Sequence, residues 1–459
     1  MLEKRIRDLL LEARDKARKQ KLDAEFNFHR ERSSLIRLGN SSVALSTFEE
    51  LSRLDVVVQQ GRKSGAYSLT SDITSSAQLD EALAIAASNC RSALEKDYDP
   101  IFGVVEEAVD DSTGFDPALE ALSPVAKTEL CKQVVDAVKP MGKYDFSGSW
   151  SSGSTEMYFV STANDKEAFR RLTDGRFTMV LKEQEKKWEL QAERTQKKAG
   201  EFTADDVIAE FKGMLPVYEK NTGHKTHLEH QRVMFGPEAV SELLGLSIWG
   251  GFIGRMWEEK RAFSSNLKPG DRLFPESVTI SDDPTNPNVF GMPFDFKGHR
   301  RHRRVICDKG ILKEILYDSA TAAKYKRQPT GSDLGNDDFC LSGGTAPAGI
   351  EAGRKLAKDA LYIPHLHYIH MPDPTKGMFT GSSRFNARLI KDGEFAAPLL
   401  SSRVTDTVPS VFKGIVAISS RTVPWNVSST YDRRSPTAMS IPEYIICDNV
   451  RISDVADSF

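Results

Sequence analysis

Cysteine is scarce in this chain, and its five copies in 459 residues are an odd number. Cys90, Cys131, Cys307, Cys340 and Cys447 include no Cys-x-x-Cys pair. A disulfide framework is therefore excluded, and reduced thiols in a cytoplasmic protein are expected. No apolar run approaches the roughly 18 residues a membrane span needs, so no membrane contact is expected. A basic surplus is also missing: 62 Lys and Arg face 65 Asp and Glu, a net charge of −3. Wrapping duplex DNA requires many cations to displace counterions, so direct nucleic-acid binding is not expected. The chain has no G-x-S-x-G elbow and no G-x-x-x-x-G-K-[ST] phosphate loop. Ser410-Val-Phe-Lys413 is a Ser-x-x-Lys pattern without its companion motifs. Finally, no histidine precedes a glutamate. The nine are followed by Arg30, Lys225, Leu228, Gln231, Arg300, Arg303, Leu366, Tyr368 and Met371.

What is present fits a folded chain. Hydrophobic residues make up 39% and charged residues 28%, enough to build cores in roughly two to four domains. Leu2, Ile6, Leu9, Leu10 and Ala13 recur at helical spacing over 2–22, which predicts an amphipathic first helix. Glu3, Asp8, Glu12 and Asp15 within it exclude an acid-poor mitochondrial presequence, and no signal-peptide pattern is seen. Short alternating runs at 24–28, 34–38, 54–58 and 66–70 predict a small antiparallel sheet, with a turn at Gly39-Asn40. Leu79, Leu83, Ala86, Ala87, Cys90 and Leu94 predict a second helix, capped by Thr74 or Ser75. Residues 97–122 read as a connector and Leu119–Val138 as a helix. Strands are expected at Trp150, 157–160 and 176–181, and the charge run 182–200 reads as a solvated face or hairpin arm.

Val233-Met-Phe235 predicts a strand, and Gly236-Pro237 opens a helix over 237–260. Beyond Phe274 the pattern is strand-rich, with hairpin turns at Asp308-Lys-Gly310 and Lys391-Asp-Gly393. The reading is α+β, with an N-terminal α+β domain (1–100), a middle region of helices and strands (101–225), and a C-terminal domain (226–459) on a large, curved, mostly antiparallel sheet.

Several clusters offer candidate chemistry. On a strand, His365 and His367 share a face and His370 points the other way, so a metal would need further ligands from elsewhere. His224, His227 and His230 are spaced by threes, which neither helix nor strand gathers, and read as surface. Gly298-His-Arg-Arg-His-Arg-Arg304 reads as an exposed edge or subunit contact. Asp333, Asp337 and Asp338 do not fit a calcium loop.

Residues 284–331 run through Pro284-Thr-Asn-Pro287, Gly291-Met-Pro-Phe-Asp295-Phe-Lys-Gly298, Arg304-Val-Ile-Cys-Asp-Lys-Gly310 and Pro329-Thr-Gly331. With Thr380-Gly-Ser-Ser-Arg384 through Asp392-Gly393, this order resembles the TldD/PmbA family, most strongly over 280–420. The resemblance implies a zinc peptidase scaffold whose active members carry His-Glu-x-x-x-His on a helix and a cysteine ligand from a loop near the C-terminus. The matching helix stretch is read here as Leu243–Glu259, without histidine, and Gly250, Gly251 and Gly254 suggest close packing instead. The matching loop, Val423–Arg434, has no cysteine, and Cys447 reads as a core residue of a final strand. The resemblance thus implies the TldE/PmbA-type subunit that lacks the motif. No catalytic or metal-binding residue and no cofactor are expected in this chain. Zinc is expected in a TldD-type partner, as a heterodimer or larger complex acting on small or unfolded peptides. His365, His367, His370 and Arg384 are candidates for lining its cleft. A homodimeric peptidase using His365 and His367, or a modulator of DNA gyrase, is the alternative.

Overall fold

The computed structural model describes residues 2–333, 338–429 and 433–459. The first helix, Lys4–Lys19, buries Ile6, Leu10, Ala13 and Ala17, one stripe at the predicted spacing. Lys16, Arg18 and Lys19 in its last turn complement the helix dipole. The second helix, Ser76–Ser92, starts at Ser75 with a Ser75–Gln78 capping box. Leu94 falls outside it and is exposed, so it is not part of the predicted stripe.

The short runs of the sequence are parts of much longer strands. Asp23–Gly39 pairs antiparallel with Ser42–Gln60 along its whole length, turning at Asn40 and Ser41, both at positive φ. Tyr144–Ser161 and Ala168–Glu183 are equally continuous. Apolar alternation fails in mid-strand because polar residues are buried there, including His29, Glu31, Ser152, Ser154, Thr155 and Asp174. The sheet has seven strands, ordered Lys63–Leu69, Ser42–Gln60, Asp23–Gly39, Tyr144–Ser161, Ala168–Glu183 and Val109–Gly114, with Glu189–Gln196 also on Ala168–Glu183. It draws strands from both sides of residue 100. The presumed connector contributes Val109–Gly114, and the charge run contributes the hairpin arm Glu189–Gln196.

Alternation sorts the two faces of this sheet. Ala24, Phe26, Phe28, Tyr158 and Val160 meet the first two helices. On the same face, Ile36, Leu38, Phe146 and Trp150 meet the helices Pro124–Val138 and Ala204–Lys220. Met157 and Phe159 point the opposite way, onto Phe290, Met292, Phe294 and Ala438 of the C-terminal half.

That half contains two sheets. Six strands run in the order Ile311–Leu312, Arg304–Asp308, Ile280–Asp282, Phe339–Leu341, Ala438–Pro442, Thr422–Asn426. A nine-stranded sheet has Leu366–Asp373 and Glu394–Pro398 at its edges and Ile445–Val455 beside Glu229–Phe235 near its middle. Both sheets are mostly antiparallel, with parallel pairing at Cys340↔Ser440 and Leu361↔Val233. The predicted turns are present: Lys309 and Gly310, and Asp392 and Gly393, all take positive φ. The helix Pro237–Gly251 lies in the core between these sheets, through Ala239, Val240, Leu243, Leu244 and Ile248. The architecture is α+β. No described helix is long and apolar enough to cross a membrane.

Candidate functional site

The strand Glu229–Phe235 runs into the helix Pro237–Gly251, called the site helix below. Proline at its first turn sacrifices no intrahelical hydrogen bond. Glu238 follows in that turn, and Glu242 lies one turn on, on the same side. A second segment docks here: Ala239 N–H donates to Pro364 O at 2.9 Å. Leu366 N–H donates to Glu238 Oε2 at 2.7 Å. His365 Nδ1 stands 3.9 Å from that carboxylate. Its ring lies against Phe385 and Trp425, with centroids 5.9 and 6.4 Å away.

The first sheet closes the cluster. Arg176 Nε donates to Glu193 Oε1 at 2.7 Å, and Gln191 Nε2 donates to Glu193 Oε2 at 3.0 Å. Three carboxyl groups thus surround one guanidinium. Burial, reinforced by Glu242, pushes Glu238 well above the usual carboxylate range. Burial also raises Glu242 and Glu193, against the opposing pull of Arg176. Burial, Arg176 and His367 hold His365 down to about 3, so its imidazole is neutral.

The start of the site helix reads Pro237-Glu238-Ala-Val-Ser-Glu242, without histidine. The stretch from Leu243, read above as the match to the family's motif, follows on the same helix, also without histidine, and its glycines serve packing. A Cβ on Gly251 would run into the Phe263 ring, and one on Gly250 would meet Met371 Sδ at 2.5 Å. Glu258 is paired with Arg327, and Glu259 with Arg255. Glu238 and Glu242 were not among the residues read from the sequence, although Gly236-Pro237 already marked the helix start. Among the described residues, no group of three metal-ligand atoms closes at this helix.

The other candidates are placed as follows. Around Phe385 the structure gathers His365, His367, at 5.7 Å between centroids, and Arg384, at 5.1 Å from the ring. Arg384 Nε and Nη2 bind Glu189 Oε2 at 2.9 and 2.8 Å. Burial and Arg384 lower the His367 pKa. His370 is exposed and stands outside this group, across from Thr380. Arg384 lines a depression of about 30 Å³, room for about one water.

The C-terminal loop lays Trp425 beside His365 and also grips the first sheet. Asn426 Nδ2 donates to Gly175 O at 3.0 Å. Arg434 Nε and Nη2 bind the Asp174 carboxylate at 2.6 and 3.0 Å, and Nη1 donates to Ser151 Oγ at 2.8 Å. Thr430–Asp432 and Asp337 lie outside the described residues. Cys447 is fully buried, and burial pushes its thiol up. Arg301 corrects the reading of the basic run as an exposed edge. It is buried, binding Asp282 at 2.6 Å and Asp338 at 2.7 Å.

Residues 229–454 match the PmbA/TldA metallopeptidase C-terminal domain. A metalloprotease from Methanothermobacter thermautotrophicus is 29% identical over 154 residues, 31% of this chain and 34% of that protein. The chain therefore aligns with only about a third of that relative's length. Among solved structures, TldE from Thermococcus kodakarensis superposes with a TM-score of 0.82 at 14% identity, over 97% of this chain and 100% of its own. A proposed modulator of a DNA gyrase from Thermotoga maritima gives 0.82 at 14% identity, over 98% and 100%. At that identity the two structures speak for the fold. The C-terminal half of this chain, residues 229–454, is thus a domain of the TldD/PmbA family, and the whole chain shares the fold of these two structures.

Proposed function

We propose that this chain is the non-catalytic, TldE/PmbA-type subunit of a zinc metallopeptidase complex that cleaves small or unfolded peptides. The observation that carries this reading is the site helix itself, which holds no histidine from Pro237 to Gly251. A catalytic zinc needs three protein ligands and an open position for water. The loop that would bring a thiolate has none and is tied to the first sheet by Arg434. The zinc and the bond cleavage then belong to a TldD-type partner carrying His-Glu-x-x-x-His. This subunit's contribution is to hold substrate. Leu366–Asp373, which carries His367 and His370, is an edge strand, and such edges pair with extended peptides. We further place the complex in the cytoplasm, a reading supported by five buried free thiols. No observation favours a homodimeric peptidase using His365, whose ring is buried between Phe385 and Trp425.

The test is peptide cleavage by the purified chain alone, by a TldD-type partner alone and by the two mixed. Chelator-sensitive cleavage is expected whenever the partner is present, and none from this chain alone. Chelator-sensitive cleavage by this chain alone overturns the reading.

A further inference from the structure

Three residues from separate motifs of the sequence meet at a point remote from the site helix in sequence. Asp295 belongs to the Gly291–Gly298 turn, His299 opens the basic run, and Asp333 follows Pro329-Thr-Gly331. Each offers one ligand atom, and the three atoms lie within 4.8 Å of one another.

The Asp295 carboxylate is divided in its duties. Its Oδ1 accepts from Lys297 N–H at 2.9 Å and from His299 N–H at 3.0 Å, which closes the turn. Its Oδ2 is buried and accepts no hydrogen bond, and the residue is 0% exposed. An orphaned buried oxygen of this kind costs about 1–3 kcal/mol, more when charged. Burial, together with the neighbouring Asp333 carboxylate, pushes Asp295 up to about 6. The other two groups are held from behind. Glu106 Oε1 lies 3.2 Å from His299 Nδ1. His299 Nε2 lies 3.3 Å from Ser319 Oγ, whose proton goes to Asp333, and with the ring proton on Nδ1 the Nε2 lone pair is available to a cation. Asp333 Oδ2 accepts from Ser319 N–H at 2.9 Å and from Ser319 Oγ–H at 2.6 Å. Outer partners that orient an imidazole and a carboxylate are the usual support of a metal centre.

We propose that Asp295, His299 and Asp333 bind a first-row divalent cation of the zinc or manganese type. An imidazole beside two carboxylates suits these ions better than magnesium or calcium, which prefer oxygen alone. The cation gives Asp295 Oδ2 the partner it lacks and neutralises two adjacent carboxylates. It also pins the Asp333 loop to the turn before Arg300 and Arg301, which line a cavity of about 550 Å³ with Arg170 and Lys197. Its role is structural, so it is separate from the catalytic zinc assigned to the partner.

The test is titration of the full-length, chelator-stripped chain with cobalt(II), read by visible d–d absorption, and with zinc(II), read by calorimetry. One equivalent per chain is expected. Asp295→Asn keeps an acceptor for the turn and should weaken binding at least about 100-fold, as should His299→Ala. Ser319→Ala should weaken it about 10-fold, as for other outer partners. Glu238→Gln should leave it unchanged. No binding by the wild-type chain would mean that Asp295 simply keeps a proton beside Asp333, and would overturn the proposal. Equal binding by wild type and Asp295→Asn would mean adventitious surface histidines, and would overturn it too. Neither outcome bears on peptide cleavage, so this site and the subunit role fail separately.

Discussion

Arg434 shows how a single residue organises the first sheet. Its guanidinium is sunk among Asp174 and Ser151, and its backbone N–H donates to Glu31 Oε2 at 2.5 Å. Glu31 in turn sits 3.1 Å from His29 Nε2. Removing one partner of a buried ion pair strands the other charge in a low-dielectric interior. Arg434→Ala is therefore expected to lower stability by about 3–5 kcal/mol in urea denaturation. Arg434→Met combined with Asp174→Leu should cost much less, because no charge is left behind. Such residues are where sequence reading fails. A Glu, a Ser or an Arg in mid-strand reads as solvent-facing, and nothing nearby in the chain announces a partner hundreds of positions away. The same blindness hid Arg301, read as part of an exposed basic edge. Apolar positions were legible one by one: Ile6, Leu10, Leu79, Leu83 and Cys447 are all buried as their spacing predicts.

At the level of elements, caps and turns were the legible features. Ser75 before its helix, Gly236-Pro237 before the site helix and the two Asp/Lys-Gly hairpins state their geometry in local chemistry. The two glutamates at the start of the site helix were not legible as site residues, because no histidine stands beside them in the chain. Glu238 became visible only once Leu366 and His365 were seen to dock on it. Its environment makes a pH-dependent prediction. Below about 4.5 Glu238 is protonated in both folded and unfolded chains and contributes no pH dependence. Above that, the unfolded carboxyl ionises while the folded one, buried beside Glu242 and near Glu193, retains its proton. Stability then falls with rising pH until the folded group also ionises, despite the opposing charge of Arg176. His365, held neutral, adds no cation to offset this. Glu238→Gln should accordingly match wild type near pH 4.5 and exceed it at pH 8 by on the order of 1 kcal/mol. Thermal unfolding across that range checks it, and a gain that shrinks with rising pH would contradict the assignment.

For the whole molecule, composition and periodicity indicated an α+β chain with a sheet-rich C-terminal half, and the family resemblance pointed to the same fold class. Which strands pair was beyond both. Alternation says that Ile445–Val455 is half-buried, but not that it lies against Glu229–Phe235, some two hundred residues earlier. Native-state hydrogen exchange tests that join. The amides of these two strands should open as one unit, at the highest free energy in the C-terminal half. The edge strand Leu366–Asp373 should open at a lower one, and separate opening of Glu229–Phe235 would contradict the pairing. The position of Ile445–Val455 also bears on synthesis. It joins Ser402–Thr407 on one side to Glu229–Phe235 on the other. A nascent chain released before residue 445 therefore carries two half-sheets with bare edges, each a template for aggregation or a handle for chaperones. Translation past residue 455 supplies the strand that turns those halves into one surface.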